Sequence, residues 1–147
     1  MNKPNFSDLL NEPASDVERP KPLPPGTYRC MVVGQPTTGE SSQKKTPFIQ
    51  FTLKPLEAQS DVDPDDLDAM GGLGEKMIYS DRFYLTKDAK YRLKEFLEDC
   101  GIDSEDVTLE EMVMNAPNQE VLIRLGHEAT LDNKGLRNTV LGTARVE

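Results

Sequence analysis

The sequence predicts a mainly β domain: a five-stranded, partly open Greek-key barrel with one helix between its third and fourth strands. Three observations carry this. The run from Met77 to Leu85 contains Ile78, Tyr79, Phe83 and Tyr84, a β-branched and aromatic set that suits a pleated surface. It passes directly into Ala89, Leu93, Phe96, Leu97 and Cys100, spaced i, i+4, i+7, i+8 and i+11 as one helical stripe. Two strand-like segments precede this join and two follow it, so the elements run β, β, β, α, β, β.

Residues 1–25 hold six of the eleven prolines, and Pro20, Pro22, Pro24 and Pro25 make the lead-in stiff and extended. This segment is expected to be a flexible arm, with Phe6, Leu9 and Leu10 as a short sticky turn. The barrel domain then spans 26–147. Gly26–Gly34 is the first strand, apolar on both faces as a strand bent between two layers would be. A polar loop follows and carries Lys44 and Lys45. Phe48–Lys54 is the second strand, with Ile49, Phe51 and Leu53 on the core face and Phe48, Gln50, Thr52 and Lys54 on the other. Pro55 is expected to end it.

Residues 57–75 form an acidic insert with seven carboxylates and no base. Flanked by Pro55 and by Gly71, Gly72 and Gly74, it is expected to be mobile, a tethered polyanion able to compete with nucleic acid for a basic groove. After the third strand, Thr86 is placed to cap the helix and Gly101 to end it in a left-handed conformation. Thr108-Leu-Glu-Glu111 is a capping box for one or two further helical turns. Val121–Leu125 is the fourth strand, with Arg124 outward; Asp132–Gly135 is a hairpin turn; Leu136–Val146 is the fifth strand.

Composition narrows the function. With 36% apolar residues and no Trp, the core is modest. No apolar run reaches the roughly 18 residues a membrane span needs, and the N-terminus lacks the apolar region of a signal peptide. Cys30 falls in a strand and Cys100 in the helix stripe, which reads as two reduced core thiols in a cytoplasmic protein. One His and two Cys are too few for a zinc site. The Asp61, Asp63, Asp65 spacing fails as a calcium loop, because Asp66 stands where the turn glycine belongs and Gly72 where the bidentate glutamate belongs. No nucleophile stands beside a base, and Gly71–Gly74 does not join a strand to a helix start, so neither an enzyme nor a cofactor is expected. The net charge of −9 argues against nucleic acid, but the insert carries −7 of it and leaves −2 for the rest.

Five strands with a helix between the third and fourth is the connectivity of the OB-fold, which binds oligonucleotides or oligosaccharides across strands two and three and two flanking loops. Those places are informative here. The first loop offers Lys44 and Lys45; strand two offers Phe48, Gln50 and Lys54. Strand three offers Arg82 and Tyr84, or Tyr79 and Phe83 if its register shifts by one. Arg124 faces outward on strand four, and the second loop carries Lys134 with Arg137 and His127 beside it. Aromatics interleaved with bases suit single strands, whose bases stack on rings while cations follow the phosphates.

PPGTYRCMVVG, TPFIQFTLKPLE, GEKMIYSDRFYLTKDAKYRLKEFLEDCGI, TLEEM and NQEVLIRLGHEATLDNKGLRNTV together resemble phage-encoded single-stranded DNA-binding proteins of the OB-fold type, found among replication and recombination genes. The resemblance covers residues 24–146. Its more specific parts are the join Leu85-Thr86-Lys87 with Arg92-Leu93 and Phe96-Leu97, and Asn133-Lys134-Gly135 before Asn138. It implies non-catalytic, sequence-tolerant binding of single-stranded DNA in the host cytoplasm, replication or recombination proteins as partners, and a monomer or small homo-oligomer. Two features depart from that family: the longer acidic insert, and an end in Ala-Arg-Val-Glu where many single-strand binders have an acidic, aromatic-tipped tail. The competing reading is an acidic protein-interaction module that mimics DNA or docks a basic partner; the net charge favours it, and the aromatic-and-base pattern favours DNA.

Overall fold

The barrel is built around β1 (Gly26–Val32), the middle strand of a five-stranded antiparallel sheet ordered β5-β4-β1-β7-β8. The computed structural model describes residues 6–17, 19 and 21–146. Tyr28, Cys30 and Val32 of β1 are fully buried, and the strand pairs β4 (Thr52–Ala58) on one side and β7 (Glu120–Ala129) on the other. β8 (Leu136–Ala144) pairs β7 through the hairpin expected around Asp132–Gly135. A second sheet of β2 (Thr37–Glu40), β3 (Pro47–Gln50) and β6 (Phe83–Tyr84) continues the first, because β1 leads into β2, β3 into β4, and β5 (Ile78–Tyr79) into β6. The result is a mainly β, nearly closed barrel with added helices, an OB-like β+α fold.

Several boundaries differ from the expectation, each for a physical reason. Thr37–Glu40, expected as loop, is a strand because Pro47–Gln50 lies antiparallel to it, Gly39 opposite Phe48. The second strand breaks at Phe51 and does not stop at Pro55. Pro55 is tolerated inside β4 because it lies beside the register shift at Arg29/Cys30, where the ladder is already irregular. The third strand is interrupted at Ser80–Arg82. β7 extends four residues past Leu125, through a second irregularity at Arg124/Leu125.

The helix of the join is α3 (Lys90–Asp99), and its stripe is the expected one: Leu93, Phe96, Leu97 and Cys100 are buried. Gly101 has φ +84, with Gly101 N–H donating to Glu98 O at 2.9 Å and Ile102 N–H to Leu97 O at 3.1 Å, a complete Schellman end. Thr108 caps α4 (Leu109–Met114) by accepting from Glu111 N–H at 3.1 Å. Phe96 meets Phe51 at 5.1 Å and Phe83 at 5.0 Å between ring centroids, which ties α3 to the sheets. Burial pushes the Cys30 and Cys100 thiols up to about 12, so both stay protonated among apolar neighbours.

The acidic insert is not a mobile loop. Thr27 N–H and the Thr27 hydroxyl both donate to the Asp61 carboxylate, at 2.8 Å each. Val62 is buried in the core at 5% exposure, directly beside Gly26 (φ +140), where a Cβ would lie 2.6 Å from Val62 Cγ2. Asp63 caps α2 (Pro64–Ala69), with Leu67, Met70 and Leu73 packed against the core. The insert therefore sits anchored at the Gly26 end of β1 and is not the free tether expected from its composition.

The lead-in also joins the body earlier than expected. Leu23 is 1% exposed. Its N–H donates to Asn138 Oδ1 and its carbonyl accepts from Asn138 Nδ2, at 2.9 Å each, and from His127 Nε2 at 2.8 Å. Residues 21–25 thus belong to the packed domain, while 6–17 are exposed.

Acid should loosen the insert. Hydrogen bonds from the Thr27 N–H and then the Thr27 hydroxyl hold the Asp61 carboxyl below its usual range. A depressed carboxyl stabilises above the unfolded value near about 4, and that stabilisation is lost as pH falls through the folded value. The protection factor of the Val62 amide, its exchange relative to the intrinsic rate at the same pH, should therefore fall below about pH 4 in the wild type, and Asp61→Asn should show the same loss of protection at neutral pH. Unchanged exchange in Asp61→Asn would deny the anchor.

Candidate nucleic-acid interface

The outward face of the β2-β3-β6 sheet carries one cross-strand row, Gly39–Phe48–Tyr84, in register. Gly39 is where the Phe48 ring comes down onto the sheet: a Cβ at Gly39 would stand 2.8 Å from Phe48 Cζ. The Phe48 and Tyr84 rings meet edge to face, centroids 5.8 Å apart at 66°. The Arg82 guanidinium lies over the Phe48 ring, 4.5 Å from its centroid. Phe48 is consequently only 9% exposed, although it faces away from the main core.

The interruption of the third strand decides which aromatics face out. Ser80 is buried, and its hydroxyl accepts Phe51 N–H at 2.9 Å while donating to Asp81 O at 2.9 Å. Gln50 Nε2 donates to Ser80 O at 2.7 Å. This stitching shifts the alternation by one between β5 and β6. Ile78 and Phe83 both point inward and Tyr79 and Tyr84 both point outward, so the two registers considered from sequence are each right over half the strand.

The expected contact residues divide into those on or beside one patch and those placed elsewhere. Phe48, Gln50, Arg82 and Tyr84 form one patch, and Lys44 and Lys45 extend it, since the Ser41–Thr46 turn closes the β2–β3 hairpin. Lys45 has φ +55, and Ser41 Oγ accepts Thr46 N–H at 2.9 Å to hold the turn. Tyr79, 62% exposed, and Lys54 continue outward along β5 and β4. Arg137 reaches the patch from across the barrel: with Gln50, Tyr79 and Arg82 it lines a groove of about 730 Å³. Its Nε is held by Glu128 at 2.6 Å.

Arg124 and Lys134 are not brought to the patch. Arg124 lies beside Gly142 on the outer face, and its charge acts on Asp61 at the insert end. Lys134 sits in the β7–β8 turn, its N–H donating to Asp132, which is itself paired with Arg19 at 2.6 Å. Arg29, likewise, is paired with Glu120 at 2.6 Å.

Sequence reasoning missed Arg92 as a site residue. It lies on the exposed side of α3, and with Arg82 and Tyr84 it lines a second groove of about 720 Å³. Its Nε donates to Tyr91 OH at 3.3 Å. Lys87, Lys90 and Lys94 are exposed around it, a cluster legible in the sequence as the polar side of the helix stripe. Asp81, Glu95 and Asp99 are the acids of this neighbourhood; burial raises the Asp81 carboxyl and the Arg92 charge opposes that rise.

The chain matches no family model and no curated protein.

Proposed function

We propose that this protein binds single-stranded DNA without catalysis, along the outward face of β2, β3 and β6. The observation that supports the reading most is the Phe48–Tyr84 pair with Arg82 stacked on it. A nucleobase stacks on such a platform by taking the place of the guanidinium on the Phe48 face or by layering on it, and the displaced cation is then free for a phosphate. Lys44 and Lys45 on one side and Arg92 on the other supply further cations along the backbone path. Stacking is sequence-tolerant because every base has a π-face. The resemblance to phage single-strand binders adds the expected setting, with replication or recombination proteins as partners in the cytoplasm of a bacterial host. Among the described residues no helix is long and apolar enough to cross a membrane.

Fluorescence anisotropy with a labelled oligo-dT tests this. Micromolar or tighter binding is expected at about 50 mM salt, weakening steeply toward about 200 mM as released counterions oppose binding. Duplex of the same length should bind far less, since its bases are already stacked. Undetectable binding to oligo-dT at the lower salt would end the proposal. That result would leave the acidic-module reading, which one observation favours: α2 is capped and holds Asp65, Asp66 and Asp68 exposed on a fixed scaffold rather than on a loose loop.

A further inference from the structure

The five-stranded sheet leaves the barrel open along the seam between its two edges. β5 and β8 are the two edges of the five-stranded sheet, and β6 is an edge of the smaller one. Closure would need β8 to pair with β5 and β6, and among the described residues it pairs with β7 alone. A continuous groove runs between these edges. Its part of about 720 Å³ is lined by Arg82–Tyr84 on one side and Val140–Thr143 on the other, over Phe83, Phe96 and Ile123. Its part of about 730 Å³ shares Ser80–Arg82 and Val140 with the first and continues to Arg137.

Two features say what fits there. The first is backbone chemistry. An edge strand offers alternating N–H and C=O groups with no ladder partner, and Asn138–Ala144 carries neither a charge nor a proline to guard its edge. Only another polypeptide strand matches two such edges at once. The second is charge. Asp81, Glu95 and Asp99 line the groove against Arg82 and Arg92, and Arg82 is turned onto Phe48. With Arg82 on Phe48 and Asp99 bonded to the Thr143 hydroxyl, Asp81 and Glu95 against Arg92 leave a net negative groove that attracts lysine and arginine side chains. We infer that the seam takes an extended basic segment of a partner protein by strand addition. Its backbone pairs β8 on one side and β5 and β6 on the other. Alternate apolar side chains go down onto Phe83, Phe96 and Ile123, and its lysines or arginines meet Asp81 and Glu95. The β8 residues that line the groove, Arg137–Thr143, give a track of about 24 Å. This goes beyond the DNA reading and does not depend on it.

The probe is the peptide acetyl-Val-Lys-Val-Thr-Val-Lys-Val-amide, compared with the same sequence N-methylated at alternate residues. The two have equal charge, and only the first can pair along both edges. The plain peptide should bind at least about tenfold more tightly, and Glu95→Lys, on the exposed side of α3, should weaken it by about tenfold. On binding, amide exchange should slow at Arg82–Tyr84 and at Val140–Thr143. Equal binding of the two peptides would reduce the effect to charge adhesion and overturn the inference. So would a dimer of the protein alone that already protects Val140–Thr143, which would make a second copy the occupant. So would oligo-dT slowing exchange along β8, which would assign the seam to nucleic acid. Loss of oligo-dT binding with peptide binding intact would remove the DNA reading and leave this one standing.

Discussion

Phe48→Ala is expected to lose single-strand binding and folding stability together, and Tyr84→Ala to lose mainly binding. Both rings belong to the row on the outward face of β3 and β6, and base stacking on such a ring is worth about 1–3 kcal/mol by alanine substitution. Their packing differs. Phe48 is 9% exposed, seated on Gly39, edged by Tyr84 and covered by Arg82, so its removal leaves a void among the three. Buried Phe→Ala changes cost about 3–5 kcal/mol, and this site, at the rim of the fold, should fall near about 3. Tyr84 is half-buried and loses one edge-to-face contact, about 0.5–1.5 kcal/mol. Urea unfolding and oligo-dT anisotropy on the same samples separate the two effects. Tyr84→Ala with full affinity would remove stacking on this row; Phe48→Ala with an unchanged midpoint would deny the packing of the ring. Arg82→Ala is the informative third variant, because it uncovers Phe48 while removing a cation, so its affinity loss should be smaller at high salt than at low salt.

Removing residues 1–24 should come close to unfolding the domain, and removing residues 1–17 should do little. Leu23 is a core residue at 1% exposure, and deleting a buried leucine side chain costs about 2–5 kcal/mol. The Tyr28 hydroxyl donates to Pro24 O at 2.7 Å inside the barrel, and a buried hydroxyl left without its acceptor costs about 1–3 kcal/mol more. Burial, with the nearby charge of Asp61, pushes that phenol up to about 12, so ionisation offers no relief at neutral pH. The Asn138 side-chain amide would lose both of its partners on Leu23. Together these reach the lower part of the about 5–15 kcal/mol by which a domain of this size is stable. Residues 6–17 are exposed throughout, and the shorter truncation spares the Arg19–Asp132 pair. Its cost should stay below about 1 kcal/mol. Thermal melts of the two truncations are the check, and equal melting temperatures would place Leu23 outside the core.

Periods within one element needed nothing but the sequence. The stripe Leu93, Phe96, Leu97, Cys100 is buried as its spacing requires, because four residues on one side of a helix share one environment wherever the helix goes. Gly101 ends that helix at φ +84 because a left-handed residue costs glycine little. Ile49, Phe51 and Leu53 face the core, since alternation is a local property of extended backbone. The order of elements followed from these and with it the OB-like class. Tertiary structure alone decided whatever depends on a distant partner. Thr37–Glu40 is polar and is a strand only because Pro47–Gln50 lies beside it. The alternation slips between Tyr79 and Tyr84 because Ser80 takes the Phe51 N–H, a bond across 29 residues that no local pattern encodes. The insert reads as a solvated polyanion by composition and is folded because Asp61 finds Thr27 and Val62 finds the space beside Gly26. Of the expected contact residues, the same logic kept Phe48, Gln50, Arg82 and Tyr84 together and sent Arg124 and Lys134 elsewhere. The first four lie on or beside one small sheet, whereas Arg124 stands on β7 near Gly142 with its charge toward Asp61, and Lys134 is set in the β7–β8 turn by its backbone bond to Asp132.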